Sequence, residues 1–168
     1  MEFRETSEYP AAESLVLVEG ESDPYGTDHL GITWAAKDHH LLVVVDDRVI
    51  AHAGWSTVVV ESEDREIVAV GLGGVLVHRD QRGRGIGALL IKEANQSMGR
   101  VGRPFGLLFC RPERVAFYER NGWRHADNKI TVDQPGGPLV MPLEMCWLPF
   151  EDDASLPAGP LRLDGLPF

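Results

Sequence analysis

The stretch Val70–Ser97, VGLGGVLVHRDQRGRGIGALLIKEANQS, decides how the chain reads. It opens as an apolar run ending in Val75-Leu76-Val77, with strand-like residues before it. It turns through His78–Gly85, which is rich in arginine and punctuated by glycine. It leaves as an amphipathic pattern in which Ile86, Leu89, Leu90, Ala94 and Met98 recur at helical spacing. A strand feeding a helix through such a turn makes an anion site. Free N–H groups of the first helical turn converge there, and the helix dipole adds positive potential. Gly83, Gly85 and Gly87 remove side chains that would keep a phosphate at a distance, while Arg79, Arg82 and Arg84 add charge beside it. The ligand this implies is a pyrophosphate.

Three patterns compete for that pyrophosphate. Gly83-x-Gly85-x-x-Ala88 satisfies G-x-G-x-x-G/A, the dinucleotide fingerprint. That motif places its first glycine close behind the strand and an acidic residue about twenty positions later. Here His78–Arg82 intervene, and the region around Arg103 has no carboxylate. A Walker loop would need G-x-x-x-x-G-K-[ST], which is absent. The remaining pattern is Arg82-Gly83-Arg84-Gly85-Ile86-Gly87, an R-x-x-G-x-G turn behind a strand. It resembles the acyl-CoA pyrophosphate loop of the GNAT superfamily of N-acetyltransferases. Members commonly read L-x-V-x-x-x-x-R-G-x-G-I-G, and Val75–Gly87 fits with valine in the leading place. For the motif taken alone, solvated arginines and ordinary turn glycines are the plain alternative.

A second segment lies about thirty residues on. Ala116-Phe117-Tyr118-Glu119-Arg120-Asn121-Gly122-Trp123 is similar to the family's A-x-x-F-Y-E-x-x-G-F, in compressed form. The resemblance implies that Tyr118 sits near the thioester sulfur as the catalytic acid. A phenol of pKa near 10 can protonate a departing thiolate, whose conjugate acid is near 8.5. It further implies acetyl-CoA as cosubstrate, held by Val75, Leu76, Val77, Arg82, Gly83, Arg84, Gly85, Ile86, Gly87 and Ala88. The implied fold is α+β and GNAT-like: a central mixed, mostly antiparallel sheet of about seven strands flanked by helices, splayed between the fourth and fifth strands. The pantetheine arm would enter that splay, pairing with the backbone of Val75 and Val77 as an extra strand.

The acceptor amine attacks the thioester directly in a ternary complex, and it must be neutral to do so. Deprotonating a lysine-like amine at pH 7 costs about 4–5 kcal/mol. Many family members place a carboxylate on the fourth strand, but Gly71–Gly74 supplies none; Glu66, His52 and Glu144 are the substitutes the sequence offers. Cys110 ends a strand near the expected thioester, and a buried hydrophobic role suits it better than an acyl-cysteine. Arg111 stands where many members have asparagine. A fainter similarity, to the aminoglycoside 2′-N-acetyltransferase branch, runs through Asp23, Asp28, His40–Gly54, Phe105–Leu108 and Tyr118–Trp123, and implies that Asp23 and Asp28 bind substrate. Gly73 departs from that branch, which has glutamate there. The rival readings are a non-catalytic acyl-CoA-binding domain and a protein lysine or N-terminal acetyltransferase.

The remaining chain fits one domain over residues 1–148 with a proline-rich extension over 149–168. A net charge of -10 argues against a nucleic-acid partner and sets off the arginine cluster as a local exception. Two cysteines make no disulfide framework and have no zinc spacing, so no metal is expected. The N-terminus lacks a signal-peptide core, and no apolar run suits a membrane helix. A cytoplasmic monomer or homodimer acting on a small-molecule amine is the expectation. Residues 1–14 read as partly loose, Leu15–Val18 as a strand and Tyr25–Lys37 as weakly helical. His40–Val45 and Val49–Val60 read as a hairpin around Asp46-Asp47-Arg48, and Glu66–Val77 as a strand. Gly71, Gly73 and Gly74 in that strand signal a bulge or the close approach of something else. Pro104–Cys110 reads as a buried strand and Pro112–Asn121 as a helix. Trp123–Val132 and Leu139–Leu148 read as a closing strand pair, with the tail lying over the surface.

Overall fold

The computed structural model of the chain describes residues 1–168 and is α+β, with three α-helices packed on one mixed sheet. In chain order the elements are β1 (Glu2–Thr6), α1 (Ala11–Leu17), β2 (His39–Val45), β3 (Arg48–Glu61), β4 (Glu66–Val77), α2 (Ile86–Gly99), β5 (Phe105–Cys110) and α3 (Val115–Arg120). The short strands β6 (Arg124–Ala126), β7 (Ile130–Val132) and β8 (Leu139–Val140) follow, then β9 (Glu144–Pro149) and β10 (Leu161–Asp164). The sheet order is β6-β9-β5-β4-β3-β10-β7-β8, with β2 also on β3 and β1 on β2. Ten strands stand where about seven were expected, because β1, β10 and the short β7–β8 pair join the sheet.

The β2–β3 hairpin turns at Asp46 and Asp47, both left-handed at φ 50° and 58°. That double positive φ matches the right-handed twist of the strands, and aspartate tolerates it. β3 is long enough to carry two partners on one edge: β2 along Arg48–Trp55 and β10 along Val59–Glu61. Its other edge pairs with β4 throughout, apart from a bulge where His52↔Leu76 is followed by Gly54↔Gly73. β4 meets β5 in parallel only over Val70–Leu72, opposite Gly106–Leu108. Beyond Leu72 the two strands part, which is the expected splay.

The sheet faces differ. Val70, Leu72, Leu108, Cys110 and Cys146 pack on one side with Leu90, Ile91, Ala94 and Met98 of α2 and Tyr118 of α3. On the other side Leu42, Val49 and Leu76 meet Leu17 of α1, while Ala69, Leu107 and Phe105 meet Leu161, Leu163 and Phe168 of the tail.

Several expectations are corrected. Residues 2–6 form β1 against His40–Val44 rather than a loose end. Leu15–Val18 is not a strand: Ala11–Leu17 is helical behind Pro10, burying Leu17 and leaving Leu15 exposed. A four-residue apolar run does not distinguish the two periods, and the good helix formers Ala11, Ala12 and Glu13 precede it. Tyr25–Lys37 is irregular apart from a 3-10 turn at Asp28–Leu30, stopped by left-handed Gly31. The tail does not lie over the surface. Its β10 is inserted between β3 and β7, and Phe168 is 3% exposed. The closing strand pair is broken into β6, β7, β8 and β9, with β9 rather than β7 paired to β5 and β6.

Candidate active site

The loop after β4 holds a run of unused donors. The amides of Gly83, Arg84, Gly85, Ile86 and Gly87 make no hydrogen bond within the chain, whereas Arg82 N–H donates to Arg79 and Ala88 N–H to Gly85. The run of free amides is therefore two residues shorter than the expected Arg82–Ala88. Gly83 and Gly85 have φ of 76° and 80°, and a Cβ at either would meet nothing within 4 Å. Their glycines serve the left-handed backbone that turns successive amides outward. Gly87 serves packing: its Cβ would stand 3.4 Å from Phe117 Cζ and 3.8 Å from Val77 Cγ2.

The arginines divide. The Arg82 Nε–H donates to the Val77 carbonyl at 2.9 Å, and its other two nitrogens grip Glu21 at 2.9 and 2.6 Å. Its side chain thus fastens the loop to the residues after α1 rather than facing a ligand. Arg79 reaches the Gly20 carbonyl at 3.4 Å. Arg84 has no acidic partner, only Gln81 at 3.4 Å, and is the guanidinium free for an anion. From Gly85 a cavity of about 740 Å³ runs along the outer face of α2, lined by Ala88, Leu89, Lys92, Asn95, Gln96 and Asn121. Sequence reading missed Lys92, Asn95, Gln96 and Asn121. The signal was the polar stripe of α2, opposite its core face.

Val75, Val77, Ile86 and Phe117 pack around the cluster that holds Tyr118, so the loop and the tyrosine share one side of the splay. Leu76 points to the opposite face, beside Leu17. Only the backbone of Leu76 is available to the splay. Tyr118 is 8% exposed, with its ring edge-on to Phe117 and Trp123. Its hydroxyl makes no hydrogen bond within the chain, and burial pushes the phenol well above its ordinary range. Cys110 donates to Cys146, and this bond together with burial drives its thiol far up, which suits a packed side chain and not a nucleophile.

The bulge in β4 is pinned from the other face. Gly74, at φ 60°, accepts through its carbonyl from His52 Nδ1 at 2.7 Å. A carbonyl only accepts, so Nδ1 carries the proton and Nε2 accepts from His40 Nδ1–H at 2.9 Å. Burial lowers both imidazoles, His52 to about 4. With both nitrogens engaged, His52 has no lone pair for an incoming amine. Glu144 is bonded to His125 at 2.6 Å on the Tyr118 side of the sheet, and Glu66 pairs with Glu61 at the far end of β4. None of the three substitutes faces the bulge as a base.

Asp23 and Asp28 lie in the loop after α1. The Asp23 carboxylate accepts from the amides of Gly26, Thr27 and Asp28 at 2.7–3.2 Å, and so shapes the loop; Asp28 is exposed. Two other residues reach the bulge that sequence reading did not single out: Lys37 and Phe168. The Lys37 stem crosses Gly54 and Gly73, and the Phe168 ring covers Gly71 and stacks on Phe109 at 5.1 Å. These are the close approaches that the bare strand signalled. No group of three or more His, Cys, Asp or Glu side chains converges for a metal, and no helix is long and apolar enough to cross a membrane.

No curated protein sequence matches the chain. Among solved structures, a GNAT family N-acetyltransferase from Escherichia coli (YhbS), in complex with CoA, is similar at 20% identity and TM-score 0.67. That match covers 97% of this chain and 89% of that one. A GNAT family acetyltransferase from Brucella melitensis, in complex with acetyl-CoA, is similar at 21% identity and TM-score 0.54, over 95% and 94%. The ribosomal-protein-S18-alanine N-acetyltransferase from Escherichia coli is similar at 14% identity and TM-score 0.57, over 92% and 100%. These likenesses establish the fold. The acetyltransferase (GNAT) domain family matches residues 37–125, more than half of the chain, and to that family of acyltransferases this chain belongs.

Proposed function

We propose that the chain moves an acetyl group from acetyl-CoA to a primary amine of a small molecule, by direct attack in a ternary complex. The observation that carries this is the run of five unused amides at Gly83–Gly87, at the N-terminus of a fourteen-residue helix and beside the strand that leaves its neighbour after Leu72. In this reading those amides and Arg84 take the diphosphate of acetyl-CoA, and the outer face of α2 takes the nucleotide end. The pantetheine arm pairs with β4 beyond Leu72, through the backbone of Val75, Leu76 and Val77. The thioester then lies at the bulge, with Tyr118 on its sulfur side. The amine nitrogen attacks the thioester carbonyl and the C–S bond breaks. The phenol protonates the departing thiolate, and the amine's own proton leaves to water.

Because none of Glu66, His52 and Glu144 offers a free lone pair at the bulge, much of the acceleration falls to positioning. The aminoglycoside-like acceptor is the weaker form of the proposal, since the three amide contacts of Asp23 leave Asp28 alone to attract a polycation. A cytoplasmic monomer or homodimer accompanies the reading. The test is calorimetric binding of CoA followed by thiol release from acetyl-CoA with a panel of amines, with Tyr118→Phe alongside. Binding without turnover for every amine would favour a non-catalytic acyl-CoA-binding domain. Turnover confined to protein substrates would favour the lysine or N-terminal acetyltransferase.

A further inference from the structure

We propose that His52, backed by His40, is a positioning residue for acetyl transfer: it holds the Gly74–Val75 peptide so that the Val75 N–H faces the thioester oxygen. The role rests on the acetyltransfer reading above and adds the device that aims its backbone donor. At the bulge His52 pairs with Leu76 and Gly54 with Gly73, so Gly74 and Val75 together stand against Ala53. Such a bulge leaves one residue of its strand outside the regular ladder. Here the stretch includes two successive glycines, Gly73 and Gly74, and Gly74 takes the left-handed conformation at φ 60°. Glycine backbone turns easily, so the orientation of the next peptide has to be held by something else.

His52 supplies that hold. Its Nδ1–H donates to the Gly74 carbonyl at 2.7 Å, and a Cβ at Gly74 would stand 3.2 Å from its Cε1. The peptide is trans, so its N–H points opposite to its carbonyl. With the carbonyl drawn toward His52 on β3, the Val75 N–H faces away from β3. On that side β5 has left β4 after Leu72, and the splay lies open. As the amine nitrogen attacks, the thioester oxygen takes up negative charge, which it returns when the C–S bond breaks. A backbone N–H already aimed at that oxygen stabilises the charge without reorganising.

His40 makes the hold directional. Its Nδ1–H donates to His52 Nε2 at 2.9 Å, which leaves Nδ1 as the protonated nitrogen of the His52 ring. The two rings are 1% and 6% exposed, so water competes little for either. His40 Nε2 is buried without a partner, the consequence of donation that runs one way, from His40 through His52 to Gly74. Burial first, and the Lys37 charge beside them, disfavour protonation of both imidazoles, so this direction persists at neutral pH. The pair acts through the peptide and takes no proton from the amine.

The test measures thiol release from acetyl-CoA with the best amine of the panel. His52→Leu removes the donor and keeps a buried side chain, whereas His52→Asn keeps an N–H near the place of Nδ1. His52→Leu is expected to lower kcat about 10–100-fold, part of what removal of an oxyanion donor costs, and to leave KM for acetyl-CoA in place. His52→Asn is expected to recover kcat to within about fivefold of the native chain, which a role in packing alone would not require. The loss in His52→Leu is expected to be the same at neutral and alkaline pH and for strongly and weakly basic amines. In NMR spectra of the native chain, the Val75 amide proton is expected to move downfield with acetyl-CoA and not with CoA, which lacks the acyl oxygen. Native kcat in His52→Leu, no gain in His52→Asn over His52→Leu, or equal Val75 shifts with both ligands overturns the proposal and leaves the acetyltransfer reading standing. A loss that disappears at alkaline pH or with weakly basic amines marks His52 as the amine's base and also overturns it. If CoA binds and no amine turns over in the native chain, both readings fall together. Should His52→Leu not fold, the Val75 shift in the native chain decides by itself.

Discussion

Replacing Gly85 with alanine tests whether the loop works through its backbone. Gly85 sits at φ 80°, and the added Cβ would meet nothing within 4 Å. Steric clash is therefore excluded, and only the left-handed conformation is penalised, by about 1–2 kcal/mol for an alanine. In the unliganded chain the exposed loop can relax away from that conformation, so Tm should move little. To bind, the loop must return, and the strain appears in the affinity as a Kd for CoA about 5–30-fold weaker. Gly102→Ala is the control. It carries the same kind of strain, at φ 71° with open space around it, in the turn after α2 and outside the loop. Titration calorimetry with CoA at fixed ionic strength reads both variants. Affinity of Gly85→Ala within twofold of the native chain would refute the claim that these amides must be aimed. Equal weakening by Gly102→Ala would show that the effect comes from general strain.

Other predictions follow from the same contacts. Tyr118→Phe should lower kcat about 100-fold or more, at unchanged KM for acetyl-CoA, in steady-state thiol release. Glu21→Gln should cost about 0.5–1 kcal/mol in urea unfolding, discounted for the 42% exposure of the Arg82 side chain, and the loss should shrink in 1 M salt. Phe168→Ala removes a ring stacked on Phe109 and should cost about 3 kcal/mol by the same measurement. His52 is a base whose folded pKa, about 4, lies below its ordinary 6.5, so the unfolded chain binds the extra proton first as pH falls. Its contribution is intact above pH 6.5 and is lost progressively down to about 4, amounting to about 2 kcal/mol between pH 7 and 5. His52→Asn should flatten that part of the urea-derived stability profile.

What the sequence made legible depends on the distance over which each signal acts. Asp46-Asp47 between two apolar runs specified the hairpin, because turn chemistry is local and the two residues alone carry both positive φ values. The loop at Gly83–Gly87 was legible for the same reason, strand, turn and helix being continuous. Leu15–Val18 was not, since its short apolar run suits either period and only packing of Leu17 under β2 and β3 decides for helix. Arg82 shows a finer limit: the motif marked it as a charge for phosphate, while Glu21, far away in sequence, claims its guanidinium. The bare stretch of β4 lay furthest beyond local reading. Gly71, Gly73 and Gly74 announced that something must lie against bare backbone, since glycine removes the side chain that would otherwise stand there. They did not say what. The fillers, Lys37 and Phe168, come from opposite ends of the chain and meet only after β10 has entered the sheet and the Pro167 carbonyl has accepted from Ala35 N–H at 2.6 Å. The absence of a carboxylate from Gly71–Gly74 of β4, which reads in sequence as a missing base, thus has a steric cause as well. A glutamate at Gly73 would collide with the lysine stem and with the Phe168 main chain, which together cover that face of the bulge.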